Sequence, residues 1–264
     1  MLIIRAVRFN RPCAEERGDQ FARDESVSGG NHVIAAIKES MTEKPDEAAG
    51  KVPIRLGESA INFLSLSAHK FHGPKGVRAL YVGRNSRFQP SIIGGGQENG
   101  RRAGTENVAS IVGLGKAAER AAESIEEEQK RVRAMRDRFE NGILEAVSGA
   151  SINGDRAARL PNTSSFYFDG IESNAALLLL DRHGVCCSAG SACRTGSAEA
   201  SHVLRAMYSD EDRAQGSLRF SFGRFNSDSE VQRAIEIAPK VVEKLRRSSS
   251  PTPVTARPAL ESLS

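Results

Sequence analysis

The chain has 264 residues, 39% of them hydrophobic, with 37 Lys and Arg against 33 Asp and Glu for a formal net charge of +4. That is length enough for one large domain or two small ones with a real core. The interleaving of basic with acidic residues argues against a nucleic-acid partner, and no apolar run reaches membrane-spanning length. The start, Met1-Leu2-Ile3-Ile4-Arg5, lacks a signal-peptide apolar region, so a cytoplasmic location with the four cysteines reduced is expected.

Residues 1–46 predict no core element: Arg11 to Glu25 is dense in charge and Asn31 to Ser40 is at most a short helix. Lys51 to Ile54 is a short apolar edge. Ile61 to Leu66 predicts a buried strand, and Val77 to Val82 predicts another, closed by Gly83-Arg84-Asn85. Between them Ser67-Ala68-His69-Lys70-Phe71-His72-Gly73-Pro74-Lys75-Gly76 is a polar turn with Lys70 at its tip. A lysine held against apolar surface favours its neutral, nucleophilic form. That form is what a Schiff base with an aldehyde cofactor requires. A solvated lysine in a connecting loop is the plainer alternative. Two strands around such a turn suit the rim of a mixed sheet, where α/β ligands commonly bind.

Ser91 to Asn107 is a glycine-rich loop with Arg101, Arg102 and Thr105 as side-chain donors. Glycine lets backbone N–H groups approach an anion, so phosphate binding is physically reasonable. The spacing is neither that of a Walker A loop nor that of a dinucleotide fingerprint. Val108 to Val147 predicts a long, interrupted helix. It is small and apolar to Ala122 and then charged, with Glu126/Lys130 and Glu127/Arg131 as acid-then-base pairs four apart. The change of character sets a domain boundary near residue 120.

The remainder alternates strand and helix: a strand at Thr163 to Phe168, a helix from Glu172 to His183 ended by Gly184, and a short buried strand at Val185 to Cys187. Then come a helix from Glu199 to Met207, a strand from Ser217 to Phe222, and a last helix capped by Ser227 with Glu230 three residues on. This suits a compact α+β domain. Ser248 to Ser264, rich in Ser and Pro, predicts a disordered tail. Between the third and fourth of these elements, Ser188 to Ser197 sets Cys193 in a loop of small residues beside Arg194, which favours the thiolate. Cys186 and Cys187 are expected to be core residues. A metal site using these cysteines with His183 or His202 fits poorly, because adjacent cysteines rarely share one tetrahedral site.

Taken together these stretches resemble one family: the cysteine desulfurases of the class-V aminotransferases, pyridoxal 5′-phosphate (PLP) enzymes of the aspartate-aminotransferase fold. The resemblance runs in order from about residue 47 to 247. It covers Ala48 to Ile54, the lysine turn, and Gly94-Gly95-Gly96-Gln97-Glu98 through Gly104-Thr105-Glu106-Asn107. It continues through Ser188 to Cys193, Ser201 to Met207, and Leu218 to Phe225. It implies an α/β fold with an incomplete large mixed-sheet domain over residues 47–120 and a small α+β domain over 121–247. It also implies that Lys70 anchors PLP, that Ser67 and His69 bind its phosphate, and that Thr105 reaches the phosphate of a neighbouring subunit's cofactor in a homodimer. Arg219 would pair with the substrate carboxylate and Cys193 would be the nucleophile. The implied reaction converts L-cysteine to L-alanine with a persulfide on Cys193, passed to an iron–sulfur scaffold or sulfur-carrier protein. A selenocysteine lyase or transaminase of the same fold is the nearest alternative.

The resemblance departs before residue 47. Where the family has an Asp for the pyridine nitrogen and a Gln for the ring oxygen, this chain has Lys44 and Glu47. The main phosphate-cradling loop and the stacking histidine have no counterpart. A truncated or internally deleted product is therefore expected, one that binds PLP weakly and turns over little cysteine, or else an inactive fragment acting as a partner-binding subunit.

Overall fold

The computed structural model describes residues 2–5, 48–56, 60–189, 201–208 and 210–249. The chain divides into two compact units, Met1–Arg131 and Val132–Ser264. Lys44, Glu47, Cys193 and the tail beyond residue 249 lie outside the described residues.

In the first unit the described strands form one mixed sheet, ordered β1-β3-β2, from β1 (Leu2–Arg5), β2 (Phe63–Ser67) and β3 (Arg78–Val82). β2 runs antiparallel to β3 with Phe63 opposite Val82 and Ser67 opposite Arg78, and β1 runs parallel to β3 with Leu2 opposite Ala79. Period-two alternation decides the faces of β2: Leu64 and Leu66 are buried while Phe63 and Ser65 are exposed. The mixed rim expected around Lys70 is present. β1 corrects the expectation that residues 1–46 hold no folded element, while Ala48 and Ala49, within the stretch that carries the resemblance, are buried.

α1 (Val108–Ala146) is one continuous helix of 39 residues, without the expected interruption. It holds no proline, and its run of Ala, Glu, Lys and Arg consists of strong helix formers. Asn107 starts it, its Oδ1 accepting the Ser110 backbone N–H at 3.2 Å. The division between the two units falls between Arg131 and Val132, inside this helix. The compositional change near Ala122 marks a change of exposed surface, which a continuous helix makes without ending.

The second unit is α+β, as expected. Its sheet is antiparallel, ordered β4-β5-β6, from β4 (Ala150–Ile152), β5 (Thr163–Phe168) and β6 (Ser217–Ser221). Its helices are the end of α1, α2 (Ser173–Arg182), α3 (His202–Met207), α4 (Glu211–Gln215) and α5 (Asp228–Ser249). β5 alternates strictly, burying Ser164, Phe166 and Phe168. Phe166 and Phe168 join Phe139 and Ile143 of α1, Leu180 of α2, Leu218 and Phe220 of β6, and Val231, Val241 and Val242 of α5 in one core. Beside it Glu140 is fully buried: Arg159 grips its two oxygens at 2.5 and 2.8 Å, and the Ser164 hydroxyl donates at 2.5 Å. A buried carboxylate so fully partnered pins α1 to β5. Gly184, at φ +75°, ends α2, and the Ser227–Glu230 capping box starts α5, both as expected.

Candidate functional site

The lysine turn follows directly from β2. The strand ends at Ser67, which is buried, and the chain enters a single 3-10 turn over Ala68–Phe71. Within it His69 is exposed and Lys70 half-buried. The turn closes on itself, the Gly73 N–H donating to the Ala68 carbonyl at 2.8 Å, with His72 in the left-handed region at φ +66°. The Ala68 N–H donates to the Val77 carbonyl at 3.2 Å, which ties the turn to the start of β3. Successive side chains on a β-strand point to opposite faces, and the turn ends that alternation just after Ser67.

What seats the turn is an absence of side chains. A Cβ on Gly73 would lie 2.9 Å from the Ala68 Cβ and 3.2 Å from the Ala117 Cβ, and one on Gly113 would lie 2.6 Å from the Pro74 ring. A Cβ on Gly50 would lie 2.7 Å from the Phe71 Cβ and 3.7 Å from the Ala121 Cβ. Gly113, Ala117 and Ala121 are four residues apart on α1, so they form one stripe along the helix that lets the lysine turn approach its backbone. In the sequence this stretch is visible only as small and apolar. The signal that could have found it is the four-residue spacing of Gly and Ala, matched to a Gly-Pro turn.

The glycine-rich loop also belongs to the first unit. The Ala103 N–H donates to the Ile92 carbonyl at 3.0 Å and closes the loop at its base. Thr105 is exposed, two residues ahead of the α1 cap at Asn107. Ile92 and Ile93 are exposed at 57% and 83%, and Val108 and Val112 are also open to solvent.

Arg219 lies in the second unit, half-buried on β6 opposite Ser165. Its backbone exchanges both hydrogen bonds with Ser188: the Ser188 N–H donates to the Arg219 carbonyl at 3.0 Å, and the Arg219 N–H to the Ser188 carbonyl at 2.6 Å. Ser188 opens the stretch that carries Cys193, so that stretch is rooted on the residue that bears the guanidinium. The Ser201 hydroxyl caps α3. Just beyond, the Tyr208 hydroxyl accepts the Gly154 N–H at 2.7 Å and its ring lies under the Arg213 guanidinium, 4.3 Å from carbon to centroid.

The expected strand at Val185 to Cys187 does not form; the chain pairs with β6 at Ser188 alone. Cys186 is exposed, against the expectation of core packing. Cys187 does pack against the second core, and burial, with Cys186 and Asp181 nearby, pushes its thiol up to about 12. That thiol stays neutral and unreactive at physiological pH. Among the described residues no group of three or more His, Cys, Asp or Glu is placed to hold a metal ion, and no helix is long and apolar enough to cross a membrane.

The donor chemistry of the lysine turn fits PLP: an amine for the aldehyde, with a buried hydroxyl and an imidazole beside it for an anion. The aminotransferase class-V sequence pattern matches residues 46–234. A cysteine desulfurase of Gluconacetobacter diazotrophicus is 53% identical over 203 residues, covering 77% of this chain and 51% of that protein. The cysteine desulfurase NifS of Azotobacter vinelandii is 51% identical, with 77% and 50% covered. Among solved structures a NifS-like protein superposes with a TM-score of 0.67 at 33% identity, covering 78% of this chain and 52% of that one. A NifS-like protein from Rickettsia africae gives a TM-score of 0.67 at 30% identity, with 75% and 52% covered. The fold is thus the expected PLP-dependent transferase fold, and the chain spans about half the length of the curated relatives it matches.

Proposed function

The chain belongs to the class-V aminotransferase family, and on that premise we propose that it carries the lysine-bearing portion and the small domain of a PLP-dependent cysteine desulfurase. The observation that carries this reading is the end of β2 at Ser67 running straight into the single turn that holds His69 and Lys70, seated on α1 by Gly113, Ala117 and Gly73.

Lys70 would hold the cofactor and, once released by substrate, take the proton from the substrate α-carbon at its Nζ. Ser67 and His69 would donate to the phosphate, and Thr105 would donate to the phosphate of a second subunit. Arg219 would orient L-cysteine by its carboxylate, a task suited to a planar fork of donors. Bound PLP supplies an electron sink for the substrate α-carbon. The Cys193 thiolate would attack the substrate sulfur: the new S–S bond forms as the substrate Cβ–S bond breaks, the bonding pair leaves with Cβ, which takes up the proton given up by the substrate thiol, and Lys70 returns its proton to the α-carbon, so that L-alanine and a persulfide on Cys193 result with no external oxidant or reductant. The rooting of the Cys193 stretch at Ser188, paired to Arg219, supports a nucleophile delivered next to the carboxylate site.

The exposed Ile92, Ile93, Val108 and Val112 about Thr105 support a homodimer at this surface. Transfer of the persulfide to an iron–sulfur scaffold or carrier, and work in the cytoplasm, complete the reading. The second reading, a partner-binding subunit with little activity of its own, is favoured by the sequence at Lys44 and Glu47, a cation and an anion at the sequence positions where the family has an Asp and a Gln.

Both readings meet in one experiment. The purified chain is titrated with PLP, reduced with borohydride and digested, and alanine release from L-cysteine is followed in parallel. The expected result is weak binding with the adduct on Lys70, absent in Lys70→Ala, and slow alanine release that ceases in Cys193→Ala. No adduct at any PLP concentration, with co-purification of a longer homologous subunit, would replace the first reading by the second. Tight binding and brisk alanine release would overturn the expected weakness.

A further inference from the structure

The glycine-rich loop contains a strained turn and a buried arginine that the reaction above does not use. Glu98, Asn99 and Gly100 are all left-handed, at φ +53°, +55° and +73°, and two of the three carry a Cβ that disfavours this conformation. Strain of this kind persists only where surrounding groups hold it. The holding group is Arg102, only 8% exposed in a loop whose neighbours Ile92 to Gly96 are open to solvent. Its Nη2 donates to the Glu98 Oε1 at 3.4 Å, with both side chains nearly enclosed, and its Nη1 donates to the Gly104 carbonyl. From the other side the Gln97 Oε1 accepts the Gly104 N–H at 3.2 Å. Gly104 itself is left-handed, at φ +102°.

Gly104 is therefore held at both its N–H and its carbonyl. The peptide that joins it to Thr105 is planar, so fixing the Gly104 carbonyl also fixes the direction of the Thr105 N–H and the base of its side chain. We propose that Arg102 is the positioning residue of the Thr105 loop: paired with Glu98, it stabilises the left-handed turn and aims Thr105 at the cofactor phosphate. The proposal rests on the reading that Thr105 meets that phosphate. Arg102 acts through Gly104 and does not itself touch the ligand. A lysine would keep the ion pair with Glu98 but lose the fork that serves Glu98 and Gly104 together.

Two independent measurements on the full chain test it. The first, on the cofactor-free protein, is amide hydrogen exchange at Gly104. Arg102→Gln should speed it by about tenfold or more, with Arg102→Lys in between and the amides of α1 unchanged. The second is the PLP dissociation constant in a double-mutant cycle with Thr105→Ala. Arg102→Gln alone should weaken binding by about tenfold, but by less than about twofold once Thr105 is alanine. Unchanged exchange at Gly104 overturns the clamp. Equal weakening in both backgrounds overturns the link to Thr105 and reduces Arg102 to a general support of the fold. If the parent chain binds no PLP, the cofactor reading falls and the exchange result alone decides whether Arg102 holds the turn. Should Arg102→Gln not fold, Arg102→Lys carries both measurements.

Discussion

Around Phe139 five phenylalanine rings share one core, with Phe166, Phe220 and Phe222 at centroid distances of 5.8, 4.8 and 5.4 Å and Phe168 stacked on Phe166. Around Lys70 the packing is done by Gly50, Gly73, Gly113, Ala117 and Ala121. The second unit gains its stability from bulk, large apolar surfaces removed from water and pinned by the buried Glu140. The lysine turn gains its position from close backbone approach, which needs small residues and contributes little apolar area. A turn built this way can be displaced with small loss of global stability, whereas the phenylalanine core cannot be trimmed without loss of the unit.

The largest effect expected from this contrast is at Phe139. Its ring is fully buried and touches three others, so Phe139→Ala should cost about 3–5 kcal/mol through lost transfer energy and the cavity left behind. Urea unfolding with hydrogen exchange over β5 and β6 measures it. A cost under about 1 kcal/mol would mean that the second unit does not depend on this core and that the contrast is misdrawn.

A smaller effect, but one aimed at the site, is expected at Gly50. Its φ is +73°, and an added Cβ would press into the Phe71 Cβ at 2.7 Å. Gly76 has a similar φ of +85°, with nothing within 4 Å of an added Cβ. Alanine at either position carries the left-handed penalty of about 1 kcal/mol, and Gly50→Ala adds an overpacking cost of about 1–3 kcal/mol. Because Phe71 ends the lysine turn, Gly50→Ala should also change the acylation rate of Lys70, and Gly76→Ala should not. Equal losses in the two variants, with Lys70 unchanged in both, would show that small residues at these positions do not seat the turn.

The same contrast explains what the sequence reveals. β2, β3, β5 and β6 are legible because alternation of apolar and polar residues is a local signal. The Ser227 and Gly184 caps are legible because capping is a matter of two or three neighbours. β1 is not legible: four residues after the start make a strand only by pairing with β3 across more than seventy residues. The stripe on α1 is visible as composition, but its partner is a turn some forty residues earlier, and spacing on one element does not name the element it meets. Val185 to Cys187 has the composition of a buried strand, yet only Ser188 finds a ladder partner, so Cys186 stays exposed. In the glycine-rich loop, Arg101, Arg102 and Thr105 all read as donors for an anion. The fold turns Arg102 inward onto Glu98 and Gly104 and leaves Thr105 exposed, a division made by burial that no donor count contains.

The smallest effect tests the second unit at its edge, where neither bulk nor close approach decides. The Glu230 carboxylate accepts the Ser227 N–H at 2.8 Å and the Asn226 amide at 3.3 Å, while the Ser227 hydroxyl accepts the Glu230 N–H at 3.3 Å. The Ser227 backbone donor, followed by Asn226, holds the Glu230 carboxyl below its ordinary value of 4.5. A lowered pKa means that the folded chain binds this proton less readily than the unfolded one. Its contribution is therefore present above the ordinary carboxylate value and is lost as pH falls through the lowered one. Glu230→Gln keeps the shape and removes the charge, so the variant should unfold at a slightly lower temperature than the parent near neutral pH. The difference should shrink toward zero as both are taken below about pH 4. Thermal midpoints measured across that range read the sign directly. A gap that is constant with pH, or that widens in acid, would mean that Glu230 acts at the start of α5 through packing and not through its charge on the open N–H groups of the first turn.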